Sequence, residues 1–188
     1  VDLMTINGSK IYGPKGTGVL YVRRGLRIQP MIYGGGQEFG LRSGTENVAG
    51  IVGLATALDM ISRLRNREID RITQLRDKLI AGILSQIHGA ELNGHPTQRL
   101  PNNVNITISG IEAEAMLFYL DETGIAAATG SACESAGPDH SHVIQALGKS
   151  RDAARSSIRF TLGRSTTDKD VDYVFKVLPG MVEKLRHR

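Results

Sequence analysis

Leu3-Met4-Thr5-Ile6-Asn7-Gly8-Ser9-Lys10-Ile11-Tyr12-Gly13-Pro14-Lys15-Gly16-Thr17-Gly18-Val19-Leu20-Tyr21-Val22 is the stretch on which the reading of the fold turns. It reads as strand, glycine turn, strand. Asn7-Gly8-Ser9-Lys10 ends the first strand, and Gly13-Pro14-Lys15-Gly16 makes a tight turn, because proline fixes φ and glycine permits positive φ. Gly18 to Arg23 has the β-branched and aromatic content of a buried strand. Lys10 stands between strand and turn. A lysine packed there loses water, its pKa falls, and its amine becomes a better Schiff-base nucleophile. A surface lysine beside a hairpin is the ordinary alternative. Gly16-Thr17-Gly18 is not a dinucleotide fingerprint, and the chain has no GxxxxGK[ST] run.

Outward from this stretch, Gly34-Gly35-Gly36 marks a sharp backbone turn or a close approach. Leu41-Arg42-Ser43-Gly44-Thr45-Glu46 puts small hydroxyl residues at a helix start near Thr45. There Thr45 caps the helix, or free N–H groups and the positive dipole end receive a phosphate. The apolar period predicts two successive helices, broken at the charged joint Leu64-Arg65-Asn66-Arg67, which is a candidate domain boundary. Beyond residue 91 the texture is α+β. Asn103–Ile108 alternates like a half-exposed strand, 112–121 is helical, and His142–Leu147 is a short helix ended by Gly148. Ser157–Leu162 is a strand, and Thr166-Thr167-Asp168 opens a terminal helix that Pro179 stops.

Two residues in this second part bear chemistry. Cys133, the only cysteine, lies in Thr129-Gly130-Ser131-Ala132-Cys133-Glu134-Ser135-Ala136-Gly137, where small neighbours pack nothing against the thiol. An exposed thiol on a loop can reach a substrate and leave with cargo, with activation expected from elsewhere than the adjacent Glu134; an inert small residue is the ordinary alternative. Asp139, His140 and His142 follow, too few with Cys133 for a structural zinc site, so no metal is expected. Arg159, between Ile158 and Phe160, either faces solvent or offers its planar fork to a carboxylate in a cleft.

Composition narrows the classes. The 188 residues suffice for one large or two small domains, and 40% hydrophobic residues supply a core. A net charge of +4 comes from 23 basic residues scattered among 19 acidic ones, without the basic arm or aromatic-interleaved strip that nucleic acid requires. One cysteine forms no internal disulfide, and the absence of a secretory signal or long apolar run makes the cytoplasm the default, with no membrane partner.

The motifs in their order resemble one family, the cysteine desulfurases of the NifS/IscS type within the aspartate-aminotransferase-like enzymes that use pyridoxal phosphate (PLP). The matching runs are Ser9–Gly16, Gly34-Gly35-Gly36-Gln37-Glu38, Arg42-Ser43-Gly44-Thr45, Gly130-Ser131-Ala132-Cys133 and Ser156–Arg164. The resemblance implies an α/β fold: the C-terminal part of a PLP-dependent transferase, with residues 1–65 completing the large domain and 66–188 forming the small α+β domain. It implies that Lys10 binds PLP covalently and later moves protons. Asn7 and Ser9 stand where the family commonly has Ser and His, leaving Ser9 as a phosphate donor and Asn7 as a substitute contact. Thr45 corresponds to a phosphate contact donated across a homodimer. Arg159 corresponds to the grip on the substrate carboxylate. Cys133 corresponds to the nucleophile that takes sulfur from L-cysteine as a persulfide, releasing alanine, and passes it to an acceptor protein of Fe–S assembly or thiolation.

The resemblance covers only the family's second half, and the chain opens in mid-strand at Val1 without a methionine, which reads as a truncated product. The ring-stacking His and the Asp that pairs with the pyridine nitrogen belong to the first half, so weak PLP binding and poor turnover are expected of this chain, together with self-association through uncovered apolar faces. Two other readings share the motifs: a selenocysteine lyase or sulfinate desulfinase on the same scaffold, and a non-catalytic module that docks a sulfur acceptor.

Overall fold

The computed structural model describes residues 1–130 and 141–187, and its contacts divide the chain into two compact units, Val1–Asn66 and Arg67–Arg188. In the first unit, β1 (Leu3–Asn7) pairs antiparallel with β2 (Gly18–Val22), Leu3 opposite Val22 and Asn7 opposite Gly18. Between them the chain makes a 3₁₀ turn, Gly8–Ile11. Only glycine fits at position 8, because a Cβ there would lie 2.4 Å from Thr17 Oγ1. The expectation of a buried β2 is corrected: Val19, Leu20 and Tyr21 are all exposed. A two-stranded ribbon has two faces, and within this unit no layer covers either of them in full.

Helix α1 runs from Val48 to Gln86 without interruption. Its start differs from the sequence expectation. Asn47, not Thr45, is the cap: its carbonyl accepts from Ile51 N and its Oδ1 from Gly50 N at 3.0 Å. Asn ranks above Thr at this position. The two expected helices are one because the charged joint holds no glycine or proline. Leu, Arg and Asn each cost only a few tenths of a kcal/mol in a helix that is already propagating. Asp59–Arg63 and Glu68–Arg71 ion pairs flank the joint.

The second unit is α+β. Strands β3 (Ala90–Leu92), β4 (Asn103–Ile108) and β5 (Ser157–Thr161) form an antiparallel sheet in the order β3-β4-β5. Helices α2 (Ala113–Glu122), α3 (His142–Ala146), α4 (Arg151–Arg155) and α5 (Asp168–Arg186) complete it. Neither β3 nor α4 was foreseen in the sequence; β3 is three residues long and α4 five. Alternation splits the sheet into two unlike faces. Val104, Ile106, Ile108, Ile158 and Phe160 point into a core shared with Ile83 of α1, Met116 and Leu120 of α2, and Leu178 of α5. The opposite face carries Asn105, Thr107, Ser157 and Arg159. Because Thr107 is buried as well, β4 is more enclosed than the half-exposed strand expected.

Helix α5 begins as expected, with Thr167 as cap. Thr167 Oγ1 accepts from Asp170 N, and Asp170 Oδ2 accepts from Thr167 N at 2.8 Å, a reciprocal capping box. Pro179 does not stop the helix. An interior proline costs about 3 kcal/mol, while burying Met181 and Val182 beyond it contributes about 1.5–3 kcal/mol each. Packing therefore carries the helix past the break. Gly82 of α1 lets Phe175 of α5 approach, since a Cβ there would sit 2.2 Å from the ring.

Candidate active site

Three of the four predicted cofactor residues, Asn7, Ser9 and Lys10 but not Thr45, gather at the 3₁₀ turn of the first unit. Asn7 caps it: its Oδ1 accepts from Ser9 N at 3.0 Å and from Ser9 Oγ at 2.9 Å. That use of the oxygen leaves Asn7 Nδ2 without a partner among the described residues, and Lys10 Nζ likewise has none. Lys10 is exposed, which matches the ordinary alternative of a surface lysine beside a hairpin and not the lysine packed out of water. Thr45 is exposed too and precedes the helix cap by two residues, so it does not cap α1. Two of the amides before it are already used: Ser43 N donates to Ile32 O and Gly44 N to Gln37 Oε1.

The second unit holds a cavity of about 370 Å³ on the polar face of its sheet. Arg159 of β5 lines it, in register with Asn105 of β4. The strand is held there by an extra bridge to Ala128, whose carbonyl accepts from Arg159 N at 2.7 Å and whose N–H donates to Arg159 O at 3.0 Å. That bridge fixes the chain just before the Cys133 segment. Thr129 and Gly130 on one side of the segment and Ser141 on the other all line the cavity. Cys133 itself, with Asp139 and His140, lies outside the described residues. Among the described residues no group of three or more His, Cys, Asp or Glu is arranged to hold a metal ion.

Arg159 is half-buried and its guanidinium has no hydrogen-bond or ion-pair partner among the described residues. A partly desolvated cation without a counter-ion is the arrangement that suits an anionic ligand. The other arginine of the cavity is spent on structure. Arg99 donates to the carbonyls of Asn103 at 3.1 Å, Asn93 at 3.2 Å and His95 at 3.3 Å, folding the loop between β3 and β4 into a wall. Burial pushes its guanidinium pKa down, and the nearby Arg76 charge adds to this. Arg76, itself buried, pairs with Asp77 and donates to Leu100 O.

Behind Asn105 lies a buried polar network. Asn93, 3% exposed, turns Nδ2 toward Asn105 Oδ1 at 2.7 Å, Thr107 Oγ1 at 2.9 Å and Ser157 Oγ at 3.1 Å, its two hydrogens shared among the three, and Ser157 donates to Ala153 O. Sequence reasoning found Arg159 but not Asn93, Asn105 or Arg99. The alternation Asn103-Val104-Asn105-Ile106-Thr107 puts Asn105 on the polar face of β4; its pairing with Arg159 depends on register, which no local pattern states.

Comparison with known proteins decides the family. The class-V aminotransferase model matches residues 1–174. The chain belongs to the class-V aminotransferase family. Within it, a cysteine desulfurase, IscS 1 of Archaeoglobus fulgidus, is 50% identical over 185 residues, 98% of this chain and 48% of that protein. The cysteine desulfurase IscS of Dictyoglomus turgidum is 46% identical, over 99% of this chain and 47% of that protein. The chain thus spans about half the length of the relatives it matches. A solved NifS-like protein superposes with a TM-score of 0.88 at 34% identity, over 98% of this chain and 47% of that one. A NifS-like protein of Rickettsia africae gives 0.86 at 31%, over 97% and 48%. The fold is therefore the α/β fold of the class-V aminotransferases, in the part read from the motifs.

Members of this family use PLP. The 3₁₀ turn fits that group chemically. It offers an exposed primary amine for an aldehyde and an unpartnered amide nitrogen on Asn7 as a donor for a phosphate, while the Ser9 hydroxyl, whose one hydrogen goes to Asn7 Oδ1, would donate to a phosphate only after turning away from it. No helix among the described residues is long and apolar enough to cross a membrane.

Proposed function

We infer that this chain carries the C-terminal part of a PLP-dependent cysteine desulfurase, which moves sulfur from L-cysteine to Cys133 and leaves L-alanine. One observation carries the reading. The unpartnered guanidinium of Arg159 and both flanks of the Cys133 segment meet at one cavity, which supports a cysteine held there by its carboxylate, beside the two ends of that segment. Bound PLP supplies the electron sink that makes the carbon–sulfur bond of the substrate breakable. Lys10 holds it and carries protons; Asn7 and Ser9, with Thr45 from a partner subunit, hold its phosphate. Arg159 fixes the substrate carboxylate with two parallel hydrogen bonds.

Cys133 acts as thiolate on the substrate sulfur. A sulfur–sulfur bond forms, the carbon–sulfur bond breaks, and a proton returned to carbon completes alanine, so atoms and electrons balance without a further oxidant. The persulfide then passes to a sulfur-acceptor protein. A free thiol with this task belongs in a reducing compartment, the cytoplasm. With about half the length of its relatives, the chain by itself is expected to turn over slowly.

Incubation with PLP and L-cysteine, followed by peptide mass mapping, tests the reading. One extra, reductant-labile sulfur on the Cys133 peptide is expected, absent in Cys133→Ser and much reduced in Lys10→Ala. Extra sulfur at no site, or equal amounts in Lys10→Ala, contradicts it.

A further inference from the structure

The cavity holds a second unpartnered donor beside Arg159. Asn105 and Arg159 are directly opposed across β4 and β5 and so project from the same face of the sheet. Both line the same cavity. The direction of the Asn105 amide is dictated from behind. Asn93 presents its NH₂ group to Asn105 at 2.7 Å, and only the carbonyl oxygen of Asn105 can face it, since two amide nitrogens in contact would repel.

The orientation of Asn93 is fixed in turn. Thr107 Oγ1 lies 2.9 Å from its Nδ2 and 3.0 Å from its Oδ1 and serves either end, so Ser157 decides the orientation. Ser157 Oγ donates its hydrogen to Ala153 O at 2.6 Å and is left as an acceptor for Asn93 Nδ2. The polarity thus runs outward from buried residues to the cavity. Asn105 Nδ2 is left with no partner among the described residues. Asn93 and Ser157 are 3% and 1% exposed, so water has little access to rearrange the set.

We propose that Asn105 is a second residue of the carboxylate subsite: its Nδ2 donates to the substrate α-carboxylate that Arg159 grips, and buried Asn93 is the positioning residue that fixes this donor's direction. The proposal rests on the desulfurase reading. A carboxylate has about four lone-pair directions, two of them used by a bidentate arginine, so a third donor adds to the arginine without competing with it. The consequence is discrimination. Ligands that lack the carboxylate gain nothing from Asn105.

The test titrates L-cysteine and cysteamine, which lacks the carboxylate, into the ¹⁵N-labelled chain under reducing conditions, followed by NMR. Wild type is compared with Asn105→Ala, Asn105→Asp and Arg159→Gln. Asn105→Asp keeps the oxygen that Asn93 needs, and the backbone spectrum reports whether each variant is folded. The side-chain NH₂ signals of Asn105 are expected to shift with L-cysteine and not with cysteamine. Asn105→Ala weakens L-cysteine binding about tenfold, the ordinary worth of a hydrogen bond to a charged group. Asn105→Asp weakens it further, carboxylate facing carboxylate, while cysteamine affinity stays within about twofold of wild type in both, well below the loss of one such bond. Asn105 variants that bind L-cysteine like wild type while Arg159→Gln loses it would overturn the proposal and leave the desulfurase reading standing. L-cysteine binding unchanged in Arg159→Gln, or absent in wild type, would overturn both.

Discussion

The two units of this chain use similar apolar sequence to opposite ends. In the second unit, Val104, Ile106, Ile108, Met116, Leu120 and Ile158 are wholly buried. In the first, Leu3, Val19, Leu20 and Tyr21 lie open on a two-stranded ribbon, and the exposed Lys10 stands on the 3₁₀ turn between its strands. The second unit closes a core on one face of its sheet and keeps the other face for Arg159 and its polar support. The core and the proposed binding residues thus fall on opposite faces of the same three strands. The first unit, described by itself, has the proposed cofactor residues on a turn whose flanking strands bury little.

The largest effect expected from this contrast is on stability. Ile106→Ala removes a fully buried side chain from the central strand and should cost about 2–5 kcal/mol in chemical denaturation. Leu20→Ser, at a position 52% exposed, should stay within about 0.5 kcal/mol. Equal losses would break the contrast.

Thr167→Ala removes the cap of α5 and should cost about 1 kcal/mol. The same box gives a pH signature. The Thr167 N–H, and then its hydroxyl, hold the Asp170 carboxyl below the usual carboxylate range. A carboxyl whose folded pKa is depressed contributes stability that is full above its unfolded pKa and lost as pH falls through the depressed value. Wild type should therefore lose part of its advantage over Thr167→Ala on acidification across that window. A gap independent of pH would remove Asp170 from the account.

Much of the architecture was open to reading from local signals. Gly148, at φ 81°, follows α3 where its sequence position marks an end, and Thr167 caps α5 because Thr-x-x-Asp offers both halves of a capping box. The sequence misled where tertiary packing outweighs local preference. Pro179 is carried through α5 by Met181 and Val182, and the charged joint at 64–67 is helical because charge alone does not break a helix.

In the site, Lys10 and Arg159 stand out through the family resemblance of the runs that hold them, since local signals leave each an ordinary surface alternative. Asn93, Asn105 and Arg99 do not, because their meaning comes from strand register and from a loop folded back on its own carbonyls. The exposure of Lys10 was equally hidden, since a strand rich in Val, Leu and Tyr gives no sign of whether anything covers it.

The central claim is that the exposed turn of the first unit is a PLP site built around Lys10. Borohydride trapping after incubation with PLP, with mass mapping of the modified lysines and a parallel visible absorption spectrum, tests it most directly. The account predicts a pyridoxyl mark that appears at Lys10 before other lysines, with an absorption band lost in Lys10→Ala. Labelling spread evenly over exposed lysines such as Lys15 and Lys169, with a spectrum unchanged in Lys10→Ala, would contradict it.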